Sequence, residues 1–188
     1  MSTSQPASNP TQFLDQIGRV LDSENVGWAT IGALAVAYHG LVRASLDADA
    51  LITLKNSSLD LDKLTQLFQR HGWKAEVRIG EEDDPLGFVI RIFDAGENQV
   101  DLIGGIRKLE PGFFNRAIRD DIDGLKLRIA SLEDLIALKI FAGGPKDLDD
   151  ARGILEVQGS SIDKELLLRL CKGFGSIEEK CCKKLLDS

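Results

Sequence analysis

Cysteine and histidine are scarce in this chain: three and two among 188 residues. Cys171, Cys181 and Cys182 all lie near the C-terminus. Neighbours such as Cys181 and Cys182 do not bridge easily, and an odd count leaves no disulfide framework. His39 and His71 are far from them in sequence, so no zinc-ligand spacing exists, and a reducing, cytoplasmic setting is expected. Long apolar runs are missing too; none approaches the roughly 20 residues that span a bilayer. Positive charge is in deficit, with 23 Lys and Arg against 30 Asp and Glu and a net charge of −7. That balance excludes a grip on duplex DNA, although a small basic pocket can oppose the net sign. Aromatics are only 6% of the chain, which argues against a broad base-stacking surface for RNA. The first ten residues are rich in Ser, Pro, Gln and Asn and show neither a basic nor an apolar leader segment, so they read as a disordered lead-in.

What is present suits one well-filled core: 43% hydrophobic and 28% charged residues. Phe13, Leu14, Ile17, Val20 and Leu21 recur at helical spacing, which predicts a helix over 11–23. A buried strand over 26–31 ends at Gly32, and a short helix over 33–40 follows. Leu46 to Leu54 alternates well, predicting a strand, and 59–71 reads as a helix. Strand-like stretches lie near 73–79, 87–93 and 98–103. A further pair, 115–122 and 125–130, flanks Asp123-Gly124, the strongest short hairpin signal. Helices are expected near 132–142, 145–158, 163–172 and 177–186. The expected class is α+β: a core over 11–130 and a helical region over 131–188 packed on it, forming one domain.

Two Asp-x-Asp pairs behave differently. On a strand, residues two apart point the same way, so Asp47 and Asp49 converge on one cation. On a helix they diverge, so Asp60 and Asp62 read as charge favourable to a helix N-terminus. Like charges on one strand face repel, and a divalent ion such as Mg²⁺ relieves the conflict by taking hard oxygen ligands, water and substrate phosphate. Asp101 supplies a third carboxylate, because Val100 and Leu102 take the opposite face of its strand. Three such acids beside a glycine turn suggest metal-assisted phosphoryl or nucleotidyl transfer; an ordinary solvated strand edge is the plain alternative. Lys139 lies in an otherwise apolar helix, so it either snorkels to water or meets an anion. Asp147 and Asp150 share a helix face, with solvated charge an equal explanation. His39 reads as a packing or capping residue, and the cysteines as incidental.

The stretch Ile31-Gly32-Ala33-Leu34, then His39-Gly40-Leu41-Val42-Arg43, then Asp47-Ala48-Asp49, resembles the nucleotidyltransferase superfamily. It is most similar to the small bacterial members, the minimal nucleotidyltransferases and the toxins of abortive-infection (toxin–antitoxin) systems. Glu133 to Lys139, followed by Lys146 to Asp150, resembles the family's second helical motif. The resemblance covers residues 13–158. It implies a mixed β-sheet flanked by helices, with a nucleoside triphosphate (NTP) and Mg²⁺ or Mn²⁺ at its edge. It implies metal ligation and catalysis by Asp47, Asp49 and Asp101, the last deprotonating the incoming hydroxyl. It implies nucleotide contacts from Gly32, Ala33, Arg43 and Lys139. Ala33 departs from the usual Gly or Ser and offers no hydroxyl; Ser45 replaces a common Thr. The implied reaction moves a nucleoside monophosphate to an acceptor hydroxyl on a protein, an RNA end or a small molecule. A separately encoded helical partner is a further implication; charge and hydropathy, as above, argue against duplex DNA and a membrane as partners. The alternative is a degenerate nucleotide-binding or protein-interaction module of the same fold.

Overall fold

A computed structural model of the chain describes residues 9–42 and 45–187. It begins with helix α1 (Pro10–Ser23), strand β1 (Gly27–Ile31), helix α2 (Gly32–Tyr38), strand β2 (Asp47–Thr53) and helix α3 (Leu61–Arg70). Strands β3 (Lys74–Ile79), β4 (Phe88–Phe93) and β5 (Gln99–Gly104) follow, then a single helical turn α4 (Phe113–Arg116). Strands β6 (Ile118–Ile122) and β7 (Leu125–Ile129) close the sheet, and helices α5 (Leu132–Ala142), α6 (Pro145–Gln158), α7 (Lys164–Phe174) and α8 (Ser176–Leu186) end the chain. The expected α+β class is what the structure has.

Local chemistry explains the boundaries. Asn9 caps α1 by accepting from the Gln12 amide, and Pro10 opens it, so positions 9 and 10 belong to the helix and its cap, while the rest of the predicted lead-in lies outside the described residues. Asp60 caps α3 through the Lys63 amide, in line with its reading as helix N-terminal charge. Ser131 and Asp163 cap α5 and α7. Asp123 and Gly124 adopt φ of 52° and 83°, the two left-handed residues of a type I′ hairpin. One expectation is corrected: residues 115–116 belong to the turn α4 and not to a strand. Phe113 is buried there, and Arg116 is turned toward α5 to meet Asp134, so extended structure starts only at Ile118.

The seven strands run in the order β3-β4-β5-β2-β1-β7-β6. β2 is parallel to β5 and β1 to β7; the other neighbours are antiparallel. Register and the period of two assign the faces. Trp28, Ala48, Ala50, Ile52, Ile90, Ile92, Val100 and Leu102 share one face, at most 3% exposed. α1 packs on it and lays Gly18 against the Trp28 ring, where a β-carbon would collide. Asp47, Asp49 and Asp101 take the other face. Burying the apolar side chains stabilises the sheet by about 1.5–3 kcal/mol for each large one. No helix among the described residues is long and apolar enough to cross a membrane.

Candidate active site

β1 ends beside the start of β2's carboxylate pair: Ile31 lies opposite Asp49 in the antiparallel register. The chain then turns at Gly32 with φ of 63°, a left-handed conformation costly for any residue with a side chain. A β-carbon on Gly32 would also collide with the Asp49 carboxylate. Glycine is therefore required twice over, and the second reason concerns the acid itself. Ala33, the next residue, is 3% exposed and packs inward with Ala35 and Val36.

On β2, Asp47 and Asp49 are half-buried and on one face. Ser45 Oγ donates to Asp47 Oδ1 at 2.5 Å. β5 places Asp101 directly beside Asp49, and Gln99 beside Asp47. The three acids that the sequence singles out thus occupy neighbouring strands and one sheet face. Asp101 is nevertheless engaged. Arg91, across from it on β4, donates from Nε to Oδ1 at 3.1 Å and from Nη2 to Oδ2 at 3.0 Å. Gln99 Nε2 adds a bond of 3.1 Å to Oδ1. The Asp101 carboxylate, through hydrogen bonding first and charge second, raises the Arg91 pKa above its ordinary value. Arg91 was not a candidate from sequence; the alternation of Phe88–Phe93, which sets it opposite Ile90 and Ile92, was the available signal.

The chemistry of the donor set suits a hard cation. Asp47 and Asp49 offer two carboxylates from one strand face, and Mg²⁺ ordinarily uses one or two plus water and phosphate. Among the described residues no three acidic, His or Cys side chains are gathered into a metal cage, and Asp101 faces Arg91 instead.

The remaining candidates fall elsewhere. Lys139 is buried, and its Nζ lies 2.6 Å from Asp147 Oδ1 and 2.9 Å from Asp150 Oδ2. Its anion is supplied by α6 and not by the three acids. Arg43 lies outside the described residues. His39 is buried and its Nε2 meets the Ala130 carbonyl at 2.9 Å, a packing role. Cys171 and Cys182 are buried between α7 and α8; hydrogen bonding to Cys182 and burial push the Cys171 thiol up, away from the reactive thiolate. A cavity of about 780 Å³ lies at the opposite strand ends, between Gly27, Thr53, Phe114 and Arg119.

The profile of a family described as "Nucleotidyl transferase of unknown function (DUF2204)" matches residues 11–188. The chain belongs to this nucleotidyl transferase family. No curated protein matches this nucleotidyl transferase in sequence. Solved structures share its fold at low identity. ANT(2″)-Ia, crystallised with adenylyl-2″-tobramycin, superimposes with a TM-score of 0.58 at 16% identity, over 88% of this chain and 98% of that one. An antigenic nucleotidyltransferase-like protein from Paracoccidioides brasiliensis gives 0.55 at 17%, over 95% and 92%. A putative nucleotidyltransferase from Thermotoga maritima gives 0.54 at 20%, over 77% and 91%.

Proposed function

We propose that this nucleotidyl transferase moves a nucleoside monophosphate from an NTP to an acceptor hydroxyl, with Mg²⁺ or Mn²⁺ held at Asp47 and Asp49. The observation that carries the reading is the register that sets Asp47, Asp49 and Asp101 on one sheet face beside the Gly32 turn. A divalent ion there supplies charge neutralisation between carboxylates and triphosphate. Gly32 leaves room for the Asp49 carboxylate to keep its place. Asp101 accepts the proton of the acceptor hydroxyl, whose oxygen bonds to the α-phosphorus as the bond to the β-phosphate oxygen breaks and pyrophosphate leaves. Among acceptors, a small-molecule hydroxyl is favoured over a protein or an RNA end, because ANT(2″)-Ia shares the fold and holds an adenylylated small molecule.

Two observations favour a second reading. Arg91 holds both oxygens of Asp101, and Ala33 brings no hydroxyl, which suits a nucleotide-binding module without turnover. One experiment separates the two. Thermal melts of the chain with each of the four NTPs, with and without Mg²⁺ or Mn²⁺, should show stabilisation of about 2.7 kcal/mol at ligand near 100 Kd. Asp49→Asn should abolish that shift, because one hard anionic ligand is lost. An enzyme should also transfer label from α-labelled NTP to small hydroxyl acceptors; a binding module should not. A shift that survives Asp49→Asn overturns both readings.

A further inference from the structure

We propose that Arg91 is a built-in counter-cation for Asp101, and that a divalent ion reaches this third acid only as Arg91 swings across to Glu76. The inference rests on the nucleotidyl-transfer reading of the site. Glu76 on β3, Arg91 on β4, Asp101 on β5 and Asp49 on β2 are consecutive register partners across four strands. Partners in register share a face and approach to about 5 Å between β-carbons, so the row forms one line of charge. Arg91 stands in it between two acids and grips only one.

The two ends of that grip differ in freedom. The Asp101 side chain is 13% exposed, whereas Arg91 is 49% exposed and free to turn. Glu76, on the other side, is 54% exposed and pairs with Lys74 at 2.6 Å. It already contributes to the field that favours the charged guanidinium, as Asp47 does. The landing place is therefore anionic, in register and one strand away. Arg91 neutralises Asp101 on a face that also carries Asp47 and Asp49. Its fork takes both oxygens of Asp101, the atoms a metal ion would need. A divalent ion and a guanidinium at the same carboxylate repel each other, so one excludes the other. Metal occupancy at Asp101 and the Arg91–Asp101 pair are then competing states, and each must weaken the other by the same factor.

The test measures Mn²⁺ binding to the full chain by the paramagnetic signal of the free ion, in wild type, Arg91→Gln, Glu76→Gln and the double variant. Arg91→Gln should bind Mn²⁺ roughly two- to fivefold more tightly, the range of a half-exposed ion pair. Glu76→Gln should weaken binding by a smaller factor in wild type and change nothing in the Arg91→Gln background. Arg91→Lys, which keeps charge but lacks the fork, should fall between. Melting curves confirm that each variant is folded. Unchanged or weaker binding in Arg91→Gln, with Asp49-dependent Mn²⁺ binding intact, overturns this inference and leaves the transferase reading standing. No Mn²⁺ binding in wild type or in Arg91→Gln overturns both.

Discussion

Replacing Lys139 by Met separates a structural cation from a substrate-binding one. Lys139 is 10% exposed at its side chain, and it is shared by Asp150 at 8% and Asp147 at 32%. Methionine keeps the length and apolar stem but removes the ammonium. Asp150 then loses this ion pair while staying buried, and breaking a fully buried pair by removing one partner costs about 3–5 kcal/mol. Asp147 is a third exposed and keeps much of its hydration, so it adds little. A net loss of about 3 kcal/mol follows, and at roughly 2–4 °C per kcal/mol for a chain of this size the melting temperature should fall by about 6–12 °C. Asp150→Asn introduced into the Lys139→Met background should recover more than half of the loss, because the buried charge disappears. Urea titrations of wild type, Lys139→Met, Asp150→Asn and the double variant give the coupling directly. A Lys139→Met protein as stable as wild type, or one that Asp150→Asn does not rescue, refutes the structural role. If such a stable variant also lost its NTP-induced shift, the nucleotide contact implied by the family resemblance would be the better account.

Two further outcomes follow from geometry already described. Gly32→Ala should lose about 2 kcal/mol, from a left-handed φ of 63° plus a methyl group driven into Asp49; it should also lose the metal-dependent NTP shift, and retention of that shift would show that Asp49 needs no such clearance. Tyr38 is the single tyrosine, so its phenolate absorbance can be titrated without overlap. Hydrogen bonding to Asp120, then burial, then the carboxylate's charge raise its pKa above the ordinary 10.0. A raised folded-state pKa means that the contact's stabilisation is complete below pH 10 and fades as pH climbs through the folded value. Asp120→Asn should return the titration toward 10.0; an unmoved midpoint refutes the contact.

Much of the site was legible because strand geometry is local. The period of two alone sets Asp47 and Asp49 on one face and Asp101 opposite Val100 and Leu102. Gly32 was also legible, but its phosphate-facing role was the family's implication, whereas clearance for Asp49 needed the register of β1 on β2. Arg91 was missed because its partner depends on the pairing of β4 with β5. That register is set by the intervening turn, where Asp94 accepts from the amides of Gly96 and Asn98. For Lys139, the apolar helix leaves snorkelling and an anion partner both open, because the choice depends on how α5 meets α6. Residues 115–116 misled because their helical turn is fixed by a distant ion pair between Arg116 and Asp134, which local alternation does not encode.

The parallel pairing of β2 with β5 also has a kinetic consequence. Between these strands lie α3 and the whole β3–β4 hairpin. A hairpin closes in microseconds, while a parallel pair must wait for a long loop to close and for the entropy of that closure to be repaid. Asp49 and Asp101 therefore come side by side only at a late stage of folding. During synthesis on the ribosome, the acid pair cannot exist until residue 104 has emerged. Nascent and misfolded chains thus carry no assembled acid site, so any nucleotide chemistry is confined to molecules that have completed their sheet.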